Sequence, residues 1–296
     1  MQCNPRVDSE PVLYSGQGKT SVGDFDCNLA DCITAISEAE DIAQQKRFVW
    51  YSTFGSNLSS KRMSCYIQGG RVEGMSRNCI GARDRTPMRD SLIKWMPYRV
   101  FFAHISDVWG IGGGAMLDVS QGQSHKCCMR LYKLTLHQFN DVVAQENKFK
   151  VLPLPEAYQL TCAELDNLQQ RAIGSHLMKF KEEDTYYPAV VYLGDHDGIP
   201  VVSFSCPPER VNAFLNGGLP AAPPSNAYLA IMTKGLQECG MTQQQAEAYW
   251  EERVRSQTFI NYNYVATKIS NDRSRIYSQK ECNHFGHALP ASSYPA

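Results

Sequence analysis

Residues 50–58 read Trp-Tyr-Ser-Thr-Phe-Gly-Ser-Asn-Leu, and the expected fold is built outward from this segment. Its aromatic and β-branched half, together with residues 47–49, predicts a strand that ends at Gly55. The loop that follows opens a predicted helix, whose first backbone N–H groups can bind an anion or a carboxylate. Gly55 lets a ligand approach the backbone closely, while Ser56 and Asn57 add hydrogen-bonding side chains. An ordinary turn with a helix cap would have the same sequence.

The other predicted elements mix strands and helices without a regular strand–helix–strand rhythm, and no internal repeat is visible. This pattern favours an α+β fold over a doubly wound parallel sheet. Residues 194–198, Gly-Asp-His-Asp-Gly, predict a hairpin turn between two strands. The predicted strands are residues 98–103, 111–119, 130–136, 189–193 and 200–204, and the predicted helices are residues 28–46, 136–147, 228–239 and 242–255.

Composition divides the chain into three expected parts. Residues 1–26 are polar, with scattered Pro, Ser and Gly, and are expected to form a loose leader. Residues 27–255 are expected to form one α+β domain that begins with an N-terminal helix. Residues 256–296 have no apolar periodicity and are expected to form a polar C-terminal tail.

Charge and apolar patterning limit the classes of function. The 29 basic and 30 acidic residues leave a net charge of −1, which argues against nucleic-acid binding because that usually needs a basic surface. With no signal peptide and no apolar run of about 18 residues visible, we expect a cytoplasmic protein that does not bind membranes. The eleven cysteines should then be mainly reduced. Cys282, His284 and His287 lack a second ligand pair at zinc-site spacing, so no metal is predicted.

Four segments, in order along the chain, resemble the γ-glutamylcyclotransferase family. Residues 50–58 resemble its Tyr-Phe-Ala-Tyr-Gly-Ser-Asn-Leu signature, and residues 109–115 resemble its tryptophan followed by paired glycines and alanine. Residues 134–147 are similar to the segment that ends in the family's catalytic glutamate, which corresponds to Glu146. Residues 224–228 are similar to its Pro-Ser-x-x-Tyr helix. The resemblance spans about two thirds of the chain and implies a small mixed β-barrel with flanking helices, in a longer branch of the family.

The resemblance also implies a reaction, in which the α-amine of a γ-glutamyl group attacks its own γ-amide and yields 5-oxoproline and a free amine. Such an attack is intramolecular, so holding the substrate in a curled conformation supplies much of the catalysis. Glu146 is the expected general acid and base, and the N–H groups after Gly55 would hold the α-carboxylate or the oxyanion. The expected partner is a small-molecule γ-glutamyl substrate, with no cofactor and no metal; a protein partner is not specified. The residues expected to bind the substrate are Tyr51, Phe54, Gly55, Ser56, Asn57, Leu58, Trp109 and Gly113.

One departure from the family pattern keeps other functions open. The family usually has tyrosine before the glycine, whereas this chain has Phe54 and lacks that hydroxyl. A catalytically silent binding or regulatory module on the same fold is therefore an alternative. Another amide-cleaving hydrolase is a further alternative. A zinc deacetylase would need clustered His and Asp ligands, whereas the seven histidines are scattered, and no Cys–His signature for a thiol hydrolase is visible.

Two charged groups also have structural interpretations. Glu146 could belong to the solvated face of a helix, together with Asp141 and Lys148. The segment 83–89 contains three arginines and Asp84, which favours a salt-bridged loop over recognition of an acidic substrate group.

Overall fold

The computed structural model describes residues 29–120, 126–181, 185–215 and 218–257. The chain separates into two compact units, the first ending at Glu38 and the second beginning at Ala39. The described part of the first unit is the beginning of a helix, and the second unit contains every strand of the described residues. The predicted leader, residues 1–26, lies outside the described residues, as does the predicted tail beyond residue 257.

The central element of the second unit is a six-stranded mixed sheet. The strands of the described residues are β1 Phe48–Thr53, β2 Ser91–Met96, β3 Arg99–Ser106, β4 Gly112–Asp118, β5 Cys127–Thr135, β6 His176–Met178, β7 Ala189–His196 and β8 Ile199–Ser205. In the sheet they run in the spatial order β2-β5-β1-β8-β7-β6, and β3 and β4 form a separate antiparallel hairpin. Strand β1 lies inside the sheet, antiparallel to β5 and parallel to β8.

The α+β class is confirmed, but the described strands do not close into the small barrel that we expected. The six-stranded sheet is open, with β2 at one edge and the three-residue strand β6 at the other. The hairpin β3–β4 contacts β8 through a side chain instead of a strand ladder. The Leu117 N–H donates to Ser205 Oγ at 3.1 Å, and the Ser205 hydroxyl donates to the Leu117 carbonyl at 2.8 Å. A side-chain bridge of this kind leaves the two sheets separate.

Helices connect and flank the strands. Helix α3 begins at a capping box, in which the Thr135 hydroxyl accepts from the Gln138 N–H at 3.1 Å and the Gln138 side chain accepts from the Thr135 N–H. Helix α6 begins at Ser225, whose hydroxyl accepts from the Tyr228 N–H at 3.2 Å. The helices are α1 Leu29–Lys46, α2 Ser60–Gln68, α3 Leu136–Glu146, α4 Cys162–Gln169, α5 Pro208–Leu215, α6 Asn226–Glu238 and α7 Gln243–Arg255, with 3-10 turns at Ser56–Leu58 and Glu156–Tyr158.

Strand β1 is buried on both faces, and this packing fixes the position at which the following loop begins. Val49 and Tyr51 belong to the apolar cluster on one side, whereas Trp50 and Phe54 belong to the cluster on the other. This alternation follows from the two-residue period of a strand. Among the helices of the described residues, none combines the length and the apolar character needed to cross a membrane.

Candidate active site

A cavity of about 420 Å³ lies where β1 ends. Its walls come from the loop after β1, from α2, from the first residues of β4, from the end of α3 and from the beginning of α6. Segments that are far apart in sequence therefore meet at one place. The side chains that carry its chemistry are Asn57, Arg62, Tyr66, Glu146, Tyr187 and Tyr228.

Glu146 faces the loop that follows β1. It is the last residue of α3 and is half-buried, and its Oε1 accepts a hydrogen bond of 2.7 Å from Asn57 Nδ2. The other Nδ2 hydrogen of Asn57 goes to the Tyr51 hydroxyl at 3.0 Å. Asn57 is 4% exposed, so this amide holds the carboxylate in a fixed orientation within the cavity.

Asp141 and Glu146 do not form a solvated face of α3. Asp141 is 1% exposed, and its carboxylate accepts from the Arg83 backbone N–H at 2.8 Å and from Arg83 Nε at 3.0 Å. The arginine-rich segment therefore includes a salt bridge to α3, which agrees with the structural interpretation of that cluster.

The residue after Glu146 anchors the end of α3. Asn147 is buried and exchanges two hydrogen bonds with the Tyr187 backbone, donating to its carbonyl at 3.0 Å and accepting from its N–H at 2.8 Å. The Tyr187 hydroxyl in turn donates to the Ala115 carbonyl at 3.0 Å. These bonds tie the carboxylate-bearing helix end to two other walls of the cavity.

Four buried tyrosines surround the carboxylate. Burial raises the pKa of each phenol above its ordinary value, and the negative charge of Glu146 raises it further in all four. These phenols therefore stay neutral at physiological pH. The four residues are Tyr51, Tyr66, Tyr187 and Tyr228.

Arg62, on α2, places a cation next to this group. It is 2% exposed, its Nη1 donates to Cys79 Sγ at 3.0 Å, and its Nη2 donates to the Tyr66 hydroxyl. Burial favours the neutral guanidine, but Tyr66, Cys79 and Glu146 outweigh it and raise the pKa of Arg62. The cavity thus holds one buried cation and one half-buried carboxylate. Arg62 is not recognisable as a site residue from the sequence, because arginine is usually exposed.

Tyr228 lies directly over Gly55. A Cβ added at Gly55 would stand 2.8 Å from the Tyr228 hydroxyl oxygen, so only glycine allows this approach. Hydrogen bonds from the backbones of Ala115 and Ser56 lower the pKa of Tyr228, although burial keeps it above its ordinary value. The Ser56 N–H, which we expected to face a ligand, is therefore directed at this hydroxyl. Tyr228 itself presents a polarised O–H to the cavity.

The other predicted site residues occupy different positions. Phe54 and Trp109 line the cavity, and the Trp109 ring stacks on Tyr228 with centroids 6.0 Å apart. Leu58 does not line it; this residue is fully buried in the core, and its carbonyl accepts from Arg130 Nη1 at 3.2 Å. The expectation that Leu58 contacts substrate thus does not match its position.

Gly113 lines the cavity and also supports the backbone next to it. Its N–H donates to the Pro223 carbonyl at 2.8 Å, and a Cβ at this position would stand 2.0 Å from the Ala222 carbonyl oxygen. The Ala222 N–H bonds the Phe102 carbonyl at 3.0 Å. Hairpin β3–β4 therefore holds the segment that leads into Ser225 and Tyr228.

Within the described ranges, no three or more His, Cys, Asp or Glu side chains are grouped so that they could hold a metal ion. The run that contains Cys282, His284 and His287 lies outside those ranges.

This chain is similar in sequence to part of a longer protein. No family model matches this chain, and no solved structure matches it. Histone deacetylase 5 of Arabidopsis thaliana is 36% identical to it over 211 residues, which make up 70% of this chain and 31% of that protein. The chain therefore spans less than a third of the length of the curated relative that it matches.

Proposed function

We propose that this chain is a γ-glutamylcyclotransferase-like enzyme with a variant of that family's fold. It cleaves a γ-glutamyl amide by intramolecular aminolysis and releases 5-oxoproline and a free amine. The 2.7 Å hydrogen bond between Asn57 and Glu146 carries the proposal. It joins two residues 89 positions apart, in segments that the resemblance assigns to one active site.

Glu146 moves the protons of this reaction. Its carboxylate removes a proton from the substrate's α-ammonium, and the freed amine nitrogen attacks the γ-carbonyl carbon. The bond between that carbon and the leaving nitrogen then breaks as Glu146 returns the proton to the leaving nitrogen. The attacking nitrogen then loses a second proton to the released amine, so the lactam keeps one N–H and the amine departs as an ammonium. Substrate atoms therefore account for both products, and the reaction consumes no co-reactant. Asn57 keeps the carboxylate aimed at the reacting atoms.

Two other groups stabilise charge during the reaction. Tyr228 donates a hydrogen bond from its hydroxyl group to the oxyanion that develops on the γ-carbonyl oxygen. The two backbone hydrogen bonds that this hydroxyl accepts strengthen it as a donor. Arg62 balances the charge of Glu146 and provides a positive potential for the substrate's α-carboxylate. Phe54 lacks the hydroxyl found at this position in the family, but four tyrosines already provide phenols in the cavity.

The named relative suggests a second candidate, an enzyme that removes acetyl groups from histones. Its alignment with this chain covers 31% of that protein, so the similarity does not by itself transfer the activity in its name. A thiol hydrolase is supported less, because burial raises the pKa of Cys79, a cavity-lining thiol. A catalytically silent binding module would bind a ligand in the same cavity without transferring protons.

The proposal is tested by measuring 5-oxoproline and free amine together after incubation with glutathione, γ-glutamyl amino acids and γ-glutamyl alkylamines. Cyclisation yields the two products in equal amounts. Release of free glutamate instead would mean hydrolysis. Binding of these compounds without any product would mean a silent module, and both of these outcomes contradict the proposed reaction.

Replacing Asn57 by Leu should lower kcat about 10- to 100-fold with little change in the circular dichroism spectrum, because Glu146 loses its orienting partner. Steady-state 5-oxoproline assays measure the effect. The matched control is Asn167→Leu, which changes an exposed asparagine on α4 outside the cavity and should leave kcat unchanged. Equal kcat values for the two variants would show that Asn57 does not position the carboxylate.

A further inference from the structure

Two cysteine side chains from distant segments meet outside the cavity. Cys128 lies on β5 and is 1% exposed, whereas Cys239 follows the last residue of α6 and is half-buried. Cys239 packs against the apolar cluster that contains Cys128, and the Cys128 thiol donates a hydrogen bond to the Cys239 sulfur. Neither residue lines the cavity, and the proposed reaction uses neither of them.

Neighbouring contacts hold the two backbones in place. Arg130, two residues after Cys128, donates from Nη1 to Glu238 Oε2 at 2.8 Å, and Glu238 directly precedes Cys239. The Cys128 N–H donates to the Tyr249 hydroxyl at 3.1 Å. A disulfide forms without strain only where two backbones are already held close together. The ion pair and the hydrogen bond between the two sulfurs provide that arrangement.

The surroundings of Cys239 favour its thiolate. The hydrogen bond from Cys128 and the positive charge of Arg130 lower the pKa of Cys239, although burial and the charge of Glu238 oppose them. Since the thiolate is the reactive form of cysteine, Cys239 is suited to attack an oxidant. At the described cysteines outside this pair, burial instead raises the pKa of the thiol. These residues are Cys65, Cys79, Cys127, Cys162 and Cys206.

We propose that Cys128 and Cys239 are an oxidisable dithiol, a modification site at which hydrogen peroxide joins the two sulfurs in a disulfide. The Cys239 thiolate attacks one peroxide oxygen, the O–O bond breaks, and a sulfenic acid forms as hydroxide leaves. The Cys128 sulfur then attacks the Cys239 sulfur, and the Cys128 proton departs with the displaced hydroxyl as water. The two sulfurs lose two electrons, which reduce the peroxide to two molecules of water once the hydroxide takes up the proton that Cys239 had released. This inference does not depend on the cyclotransferase reaction.

The disulfide would connect α6 covalently to the sheet. Helix α6 carries Tyr228 at the cavity and packs on the segment that follows β1, where a Cβ added at Gly235 would stand 2.6 Å from the Ser59 nitrogen. Because the bridge closes a long loop of chain, it restricts the unfolded state strongly. The oxidised protein should therefore have a Tm about 5–15 °C above that of the reduced protein.

The test treats the reduced protein with hydrogen peroxide, blocks the remaining thiols with N-ethylmaleimide and maps its peptides by mass spectrometry. We expect a peptide pair that is joined through Cys128 and Cys239 and that dithiothreitol separates. In Cys128→Ser the reaction should stop at the sulfenic acid of Cys239, which dimedone traps. Cys162→Ser is the matched control, because Cys162 is also half-buried but burial raises the pKa of its thiol to about 11. This variant should form the disulfide as wild type does.

A second measurement on the wild-type protein needs no oxidant. Iodoacetamide at neutral pH should alkylate Cys239 about tenfold faster than Cys162, because a larger fraction of Cys239 is thiolate. Equal alkylation rates would contradict the reactivity assigned to Cys239. A bridge that persists in Cys128→Ser, or peroxide treatment that leaves Cys239 as a thiol, would overturn the proposal.

Discussion

Replacing Glu146 by Gln is expected to reduce 5-oxoproline release about 10²- to 10⁴-fold while preserving the fold. Gln has nearly the same shape as Glu, and its amide oxygen can still accept the hydrogen bond that Asn57 donates. It cannot take a proton from the α-ammonium or return one to the leaving nitrogen. The loss should therefore appear in kcat, with a smaller change in substrate affinity.

The measurement compares initial rates of 5-oxoproline formation and the thermal unfolding curves of the two proteins. Glu251→Gln is the matched control, because Glu251 is exposed on α7 and is not among the residues that line the cavity. Its rate should equal that of wild type. If Glu146→Gln retained more than half of the wild-type rate, Glu146 would not be the acid and base, and the proposed mechanism would be wrong.

Replacing Gly113 by Ala is expected to destabilise the protein by about 3 kcal/mol or more. The added Cβ would overlap the Ala222 carbonyl at 2.0 Å, and that backbone cannot shift easily because it is hydrogen-bonded to hairpin β3–β4. The strain should also displace the start of α6 and with it Tyr228. Both Tm and activity should therefore fall.

Urea unfolding followed by circular dichroism measures this effect. Gly218→Ala is a suitable control, because its Cβ would meet the Ala213 carbonyl oxygen only at 3.4 Å, and the change should cost little. A free energy of unfolding for Gly113→Ala within about 1 kcal/mol of wild type would mean that the 222–223 backbone moves freely.

The sequence predicted the elements whose local signals are strong. The segment around Trp50 predicted a buried strand and the loop that follows it. Apolar spacing predicted α3, and helix start and stop signals predicted α6 and α7, to within a few residues. Strands β2 and β6 were missed, because β2 is an edge strand with Ile93 and Trp95 exposed, and β6 has three residues. Helix α4 was also missed, although its Thr161–Glu164 capping box is readable from sequence.

The site was predictable only where a family resemblance connected distant segments. The resemblance to a known family, and not the spacing of residues, predicted that Glu146 and the Gly55 loop belong to one site. Arg62 and Tyr187 could not be found this way, because their roles depend on burial and on contacts across the fold. Leu58 belongs to the same signature as its neighbours but is directed into the core, so membership in a motif did not fix its role.

The anchor formed by Asn147 has a consequence for how this protein could be redesigned. Its paired bonds with Tyr187 hold the end of α3, and the next residue, Lys148, lies outside that clamp. The exposed side chain of Lys148 is therefore not among the contacts that hold Glu146 in place. Substitutions of Lys148 are therefore expected to leave the position of the Glu146 carboxylate unchanged. A library limited to the exposed cations Arg77, Lys148 and Lys150 would therefore vary the charge at the cavity while keeping the contacts that hold Glu146.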